Sequence, residues 1–183
     1  MKFLDHLEEW LIAFLMGAAT LVTFVAVVHR YAAGFPIPVI QDFLIKINLS
    51  WAQELTIYMF VWMAKFGAAY GVRTGIHVGV DVLINKMNTP WRNKFVVLGL
   101  LSGALFTGIV AVLGSKFVWE LAHTDQTSAD LEVPMWMVYM AIPLGSSLMS
   151  FRFMQVAWAF IKTGELPKHD HSHVEGLEEE VKA

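Results

Sequence analysis

Residues 10–28 read WLIAFLMGAATLVTFVAVV, 19 residues with no charge among them. A helix needs about 20 largely apolar residues to cross a hydrocarbon core of roughly 30 Å, and this run meets that need with no proline to break it. Three further runs follow. Residues 51–72 carry two ionisable interruptions, Glu54 and Lys65; residues 95–114 are 20 without a charge; residues 133–161 are 29 with one charge, Arg152. At about 1.5 Å per residue the last run exceeds the core, so it should tilt or project, and Pro143 inside it predicts a kink. The fold class is therefore an all-α membrane protein with four transmembrane helices. The spans are expected near 10–30, 51–72, 94–116 and 133–161, in one domain over 1–162, followed by a polar tail over 163–183.

Composition agrees. The chain of 183 residues is 56% hydrophobic and only 16% charged, a balance that soluble domains of this length rarely reach. A net charge of −3 without a basic stretch argues against nucleic acid, and the absence of cysteine excludes disulfide scaffolds and thiolate metal sites. The first residues, with Asp5, Glu8 and Glu9, are not the basic start of a secretory signal, so the first helix is expected to stay on the protein.

Six of the seven tryptophans (Trp10, Trp51, Trp91, Trp119, Trp136, Trp158) fall near expected span ends, where an amphipathic indole is most stable. Orientation follows from Lys and Arg, which concentrate on the cytoplasmic side. With the N-terminus inside, the inner pieces hold eight of them and the outer loops three (Arg30, Lys46, Lys116), which places both termini in the cytoplasm. Two connecting segments have helical apolar periodicity. Val39, Ile40, Phe43, Leu44 and Ile47 share one face between spans 1 and 2; Val80, Leu83, Ile84, Met87 and Trp91 do so between spans 2 and 3. Both are expected as amphipathic helices in the membrane surface, with tight loops packed on the bundle as the alternative.

Charges inside spans need a partner or an escape, because an unpaired one costs about 2.5–3.5 kcal/mol at a helix centre on insertion scales. Glu54 lies one turn into the second span, within reach of water or headgroups. Lys65 is 11 residues later, which turns it only about 20° further round the helix but puts it about 16 Å away, too far to pair. With no carboxylate at its depth, Lys65 should contact carbonyls, water or an acid of another subunit, or else snorkel. Arg152 can snorkel toward phosphates from the inner end of the last span. Gly67-x-x-x-Gly71 and Gly99-x-x-x-Gly103 have the small-residue spacing that lets helices approach.

Other classes fit less well. A haem anchor needs facing histidines at mid-depth, whereas His29, His77 and His123 all fall near span ends or in connections. His169, His171 and His173 in the tail make a poor specific metal site, so no cofactor or metal is expected. A complete transporter usually shows repeats and broken helices around a midplane site, and none is visible; a homo-oligomeric channel stays open. No catalytic constellation is present. The helices are expected to serve another protein.

The stretch from Trp51 to Leu83 runs Trp-Ala-Gln-Glu-Leu and then Val-Trp-Met-Ala-Lys-Phe-Gly-Ala-Ala-Tyr-Gly-Val-Arg-Thr-Gly-Ile-His-Val-Gly-Val-Asp-Val-Leu. It resembles the small membrane subunit (DctQ type) of tripartite ATP-independent periplasmic, or TRAP, transporters. The matching positions are Trp51, Glu54, Gly67, Ala68, Arg73, Gly75, His77 and Asp81, with Val133-Pro134-Met135-Trp136, Pro143-Leu144-Gly145 and Arg152 fitting the final helix. The likeness covers residues 7–162. It implies a bacterial inner-membrane complex in which a periplasmic binding protein delivers an organic acid to a large twelve-span membrane subunit driven by sodium. The small subunit would brace that large subunit and help dock the binding protein, with Lys65 as a candidate subunit contact. The acidic outer loop or the 34–50 segment would be the docking surface. Arg73, His77 and Asp81 have a plainer role available, fixing the turn out of the second helix. The wording around Lys65 to Gly79 looks most like systems for four-carbon dicarboxylates.

Overall fold

The structure, a computed structural model, describes residues 2–75, 89–164 and 166. Every regular element among these residues is a helix, apart from one isolated bridge between Thr127 and Pro134. The helices are α1 (Lys2–Ala33), α2 (Pro38–Ile45), α3 (Ser50–Thr74), α4 (Thr89–Leu121), α5 (Met135–Tyr139) and α6 (Ala141–Thr163). The expected surface helix between spans 2 and 3 falls outside the described residues, except that Trp91 belongs to the first turns of α4.

Local chemistry sets the ends. The Gly34 and Phe35 amides bond back to the Tyr31 and Ala32 carbonyls, a tightened last turn, and Pro36 prevents α1 from continuing. Pro38 opens α2, where its missing N–H loses nothing. The Ser50 amide donates to Asn48 Oδ1 at 2.9 Å at the entry to α3. That helix stops at Gly75, whose left-handed φ of 81° lets its amide return to the Gly71 carbonyl. Gly164 ends α6 in the same way.

Three described helices are long and apolar enough to cross a membrane: His6–Ala33, Ser50–Thr74 and Trp91–Leu121. The run of the fourth expected span carries a break close to the kink that Pro143 predicts. It is divided into α5 and α6 at Met140. Pro143 supplies no amide to the Tyr139 carbonyl four residues back, so the helix is interrupted there.

Packing order departs from chain order. α1 packs along α3, α3 along α1 and α6, and α6 along α3 and α4. The four long helices therefore stand in an open row, α1–α3–α6–α4, and not in a closed bundle. The α4–α6 seam is close because Gly103 has no side chain; a Cβ there would meet the Phe153 ring at 2.9 Å. Ser150 Oγ donates to the Ala104 carbonyl across the same seam at 2.8 Å. Val72, Val96, Leu100, Val156, Ala157 and Phe160 form the main buried cluster near the end where α1 begins and α6 finishes. Elsewhere large apolar side chains face outward, among them Phe14, Leu21 and Phe24 on α1 and Leu98, Leu105 and Phe106 on α4. A row has two broad faces, and lipid or protein must cover both.

Candidate functional site

The row has two ends. The terminal end gathers the start of α1, the end of α3, the start of α4 and the end of α6. The loop end gathers α2, the start of α3 and the segment 122–134. Each end is held by charged side chains, and one lysine lies between them.

At the loop end Glu54 organises the segment before α5. Its carboxylate accepts from the Ala129 amide at 3.2 Å and from the Asp130 and Leu131 amides at 2.9 Å each. It also accepts from the Tyr58 hydroxyl one helical turn on. Three successive backbone N–H groups converging on one carboxylate form an anion nest filled from within the chain. The nest is shaped by two further backbone bonds, Ser128 to Val133 and Met135 to Gln126, both 2.9 Å, and by Ser128 Oγ accepting from Val133 at 3.2 Å. Glu132 takes the left-handed φ of 53° that the tight reversal requires. Pro134 stands at the boundary of this segment as the residue before α5 and pairs with Thr127. Glu54 is thus bound by protein and not left to headgroups.

At the terminal end the expectation that Arg152 snorkels is overturned. Arg152 is 1% exposed and Glu8 3%. Arg152 Nε and Nη2 donate to Glu8 Oε1 at 3.0 and 2.7 Å, and Nη1 donates to Gln155 Oε1 at 2.7 Å. A guanidinium with a carboxylate on its fork has no reason to seek phosphate. Arg73 Nη2 meets Glu9 Oε1 at 2.6 Å, and its guanidinium lies 4.9 Å from the Tyr70 ring centre. Two adjacent acids near the start of α1 therefore clamp the end of α3 and the middle of α6. Glu8 and Glu9 were not singled out from the sequence. The signal was there: if both termini share a side, acids just before the first span lie level with a basic residue near the end of the last.

Lys65 lies where α3 crosses α6. A Cβ on Gly145 would stand 2.5 Å from Lys65 Cβ and 3.4 Å from its backbone carbonyl carbon, so glycine is what admits the lysine stem between the two backbones. Lys65 forms no ion pair with a described residue. Gly67 and Gly99 take no part in close packing, since a Cβ on either would meet nothing within 4 Å. Of those two small-residue motifs, Gly103 makes a close interhelical approach and Gly67 and Gly99 do not. Trp51 sits in the first turn of α3, at the loop end of the row, and is exposed. His77 and Asp81 lie outside the described residues. Among the described residues no three His, Asp or Glu side chains are placed to hold a metal ion.

The family model for the DctQ component of tripartite ATP-independent periplasmic transporters matches residues 19–163. The chain belongs to that family. Among curated relatives, a C4-dicarboxylate TRAP transporter small permease protein DctQ of Rhodobacter capsulatus is 55% identical over 98% of this chain and 87% of its own length. Proteins of the same name from Vibrio cholerae and Pseudomonas aeruginosa are 33% and 32% identical, over 94% and 82% of this chain and 78% and 80% of their own lengths. The chain is thus a small membrane subunit of a TRAP transporter, a multi-pass protein in a family of transport components and not of enzymes. For a DctQ subunit the arrangement is coherent: charges at both ends are used to hold the helices together, and the faces between them are left apolar.

Proposed function

We propose that this chain is the bracing subunit of a C4-dicarboxylate TRAP system in a bacterial inner membrane. It holds the large twelve-span subunit and helps dock the periplasmic binding protein during sodium-driven uptake. The observation that carries this reading is the 55% identity, over nearly the whole chain, to a small permease protein named for C4-dicarboxylates. The open row supports it, because two apolar faces on so small a protein suit a lipid side and a subunit side.

Four spans with both termini inside fit the same picture. α6 packs between α3 and α4 and is 23 residues long, about 35 Å at 1.5 Å per residue, which supports a crossing alongside them. The Glu8–Arg152 pair ties the second turn of α1 to the middle of α6, which supports an even number of crossings. The excess of Lys and Arg on that end sets it in the cytoplasm. The loop end is then periplasmic, and the Glu54-ordered segment with Asp125, Asp130 and Glu132 is the docking surface offered to the binding protein. Lys65, held at the α3–α6 crossing, is the subunit contact, seeking a carboxylate of the large subunit.

The test is co-purification. The tagged chain, drawn from native membranes in mild detergent, should bring one large polytopic protein in near-equal amount. Lys65→Ala should weaken that recovery while leaving the helical content of the small subunit unchanged. Recovery of the chain alone, or as a homo-oligomer, would refute the bracing role and favour a small pore.

A further inference from the structure

A cavity of about 690 Å³ lies between α1, α2 and α3 at the loop end. His29 Nε2 meets the Leu44 carbonyl at 3.0 Å and so holds α2 across the end of α1. The Thr23 and Thr56 hydroxyls, 3.2 Å apart, join α1 to α3 deeper in the row. At the loop-end mouth the lining holds Arg30, Asn48 and Gln53 together with apolar Ile45, Ile47 and Leu49; further in along α1 and α3 it holds Val27, Ile57 and Phe60 with the Thr23 and Thr56 hydroxyls among them. Phe60 is ten residues into α3, about 15 Å along its axis, so the apolar part reaches well into the hydrocarbon.

The mouth offers a set of donors. Arg30 forms no ion pair with a described residue. Asn48 uses its Oδ1 on the Ser50 amide, which leaves its NH₂ to donate. A guanidinium beside amide donors selects an anionic oxygen cluster, and a phosphate matches the guanidinium fork. The inner walls Val27, Ile57 and Phe60 are exposed in the row, where they ask for an aliphatic chain.

We propose that this cavity seats one glycerophospholipid of the leaflet that holds the α1–α3 connection, the outer one in the topology above. Its phosphate sits on Arg30, and one acyl chain lies against Val27, Ile57 and Phe60. A small dicarboxylate would satisfy the mouth and leave the apolar walls unmatched. A phospholipid satisfies both, a phosphate for Arg30 and an acyl chain for Val27, Ile57 and Phe60. The site rests on reading α1 and α3 as membrane spans.

The test uses the complex purified with its large subunit, with bound phospholipid counted by native mass spectrometry after detergent washing. The wild type should keep one tightly held phospholipid that Arg30→Gln releases, with occupancy falling about tenfold, as for one charge-assisted contact. Ala26→Trp, which fills the apolar part while keeping Arg30, should release it too. Neither variant should reduce recovery of the large subunit, which separates this site from the bracing role. A photoreactive residue at position 57 should label lipid. Equal phospholipid counts in the wild type and both variants would overturn the proposal. So would a position-57 adduct formed with the large subunit in place of lipid.

Discussion

Glu54→Gln is the substitution that most directly tests how the loop end is built. Glu54 Oε1 accepts from Tyr58 and Ala129, and Oε2 accepts from Asp130 and Leu131. Glutamine keeps one carbonyl oxygen and puts an NH₂ where the other stood: with the NH₂ at Oε2 the Asp130 and Leu131 amides lose their acceptor, and with it at Oε1 the Ala129 amide does, while the Tyr58 hydroxyl turns to accept from the NH₂. A hydrogen bond to a charged acceptor is worth about 1.5–3 kcal/mol net. Ala129 and Asp130 are exposed, so water replaces much of what is lost, and about 1.5–3 kcal/mol in total is the reasonable sum. At about 1.4 kcal/mol per decade, amide hydrogen exchange in the segment 129–131 should accelerate about 10- to 100-fold. Exchange mass spectrometry on the complex in nanodiscs reads this directly. Tyr58→Phe removes a donor to Glu54 but no amide acceptor, so it should change exchange at 129–131 far less. Unaltered exchange there in Glu54→Gln would refute the claim that this carboxylate orders the loop.

Other substitutions test the remaining contacts. Gly145→Ala brings a Cβ to 2.5 Å from Lys65 Cβ and should lower the melting temperature in detergent by the equivalent of about 1–3 kcal/mol. Lys65→Gly should rescue it and Lys65→Ala should not, because the clash is with Cβ itself; rescue by Lys65→Ala would place the crowding further along the stem. Arg152→Met strands the buried Glu8 carboxylate and should destabilise by about 3–5 kcal/mol, with much of that regained in the Glu8→Gln/Arg152→Met double variant. A double variant no more stable than the single one would show that the pair is not the main partner. Glu9→Ala breaks the half-exposed contact with Arg73 and should cost less than about 1 kcal/mol on the same melt.

The helical elements were legible because each depends on its own stretch of chain. Trp10 through Val28 carries no charge, α3 opens at Ser50, one residue before the expected Trp51, and stops at a glycine that can turn left-handed, and Pro143 sits where the last run is interrupted. The carriers of the charged contacts were only partly legible. Glu54 and Arg152 stood out as ionisable residues inside apolar runs, but their partners were hidden. The amides of residues 129–131 have no side-chain signature, and Glu8 and Glu9 read as ordinary polar flank. Gly145 was legible only within the Pro143-Leu144-Gly145 resemblance; its packing role lies in which residue of α3 crosses it.

The division has a physical origin. Lipid satisfies no backbone hydrogen bond, so each apolar run of about 20 residues must close its own as a helix, and that demand is written along one dimension. The sequence by itself thus determined an all-helical membrane chain, the approximate limits of its helices and, through Trp51 to Leu83, its family. The order of helices in the row is another matter. Lipid tails are as apolar as leucine, so hydropathy does not choose neighbours; small residues and polar contacts do. Only the tertiary structure decided that α6 inserts between α3 and α4, that Gly103 rather than Gly67 or Gly99 makes the close approach, and that the first acids of the chain close on Arg73 and Arg152.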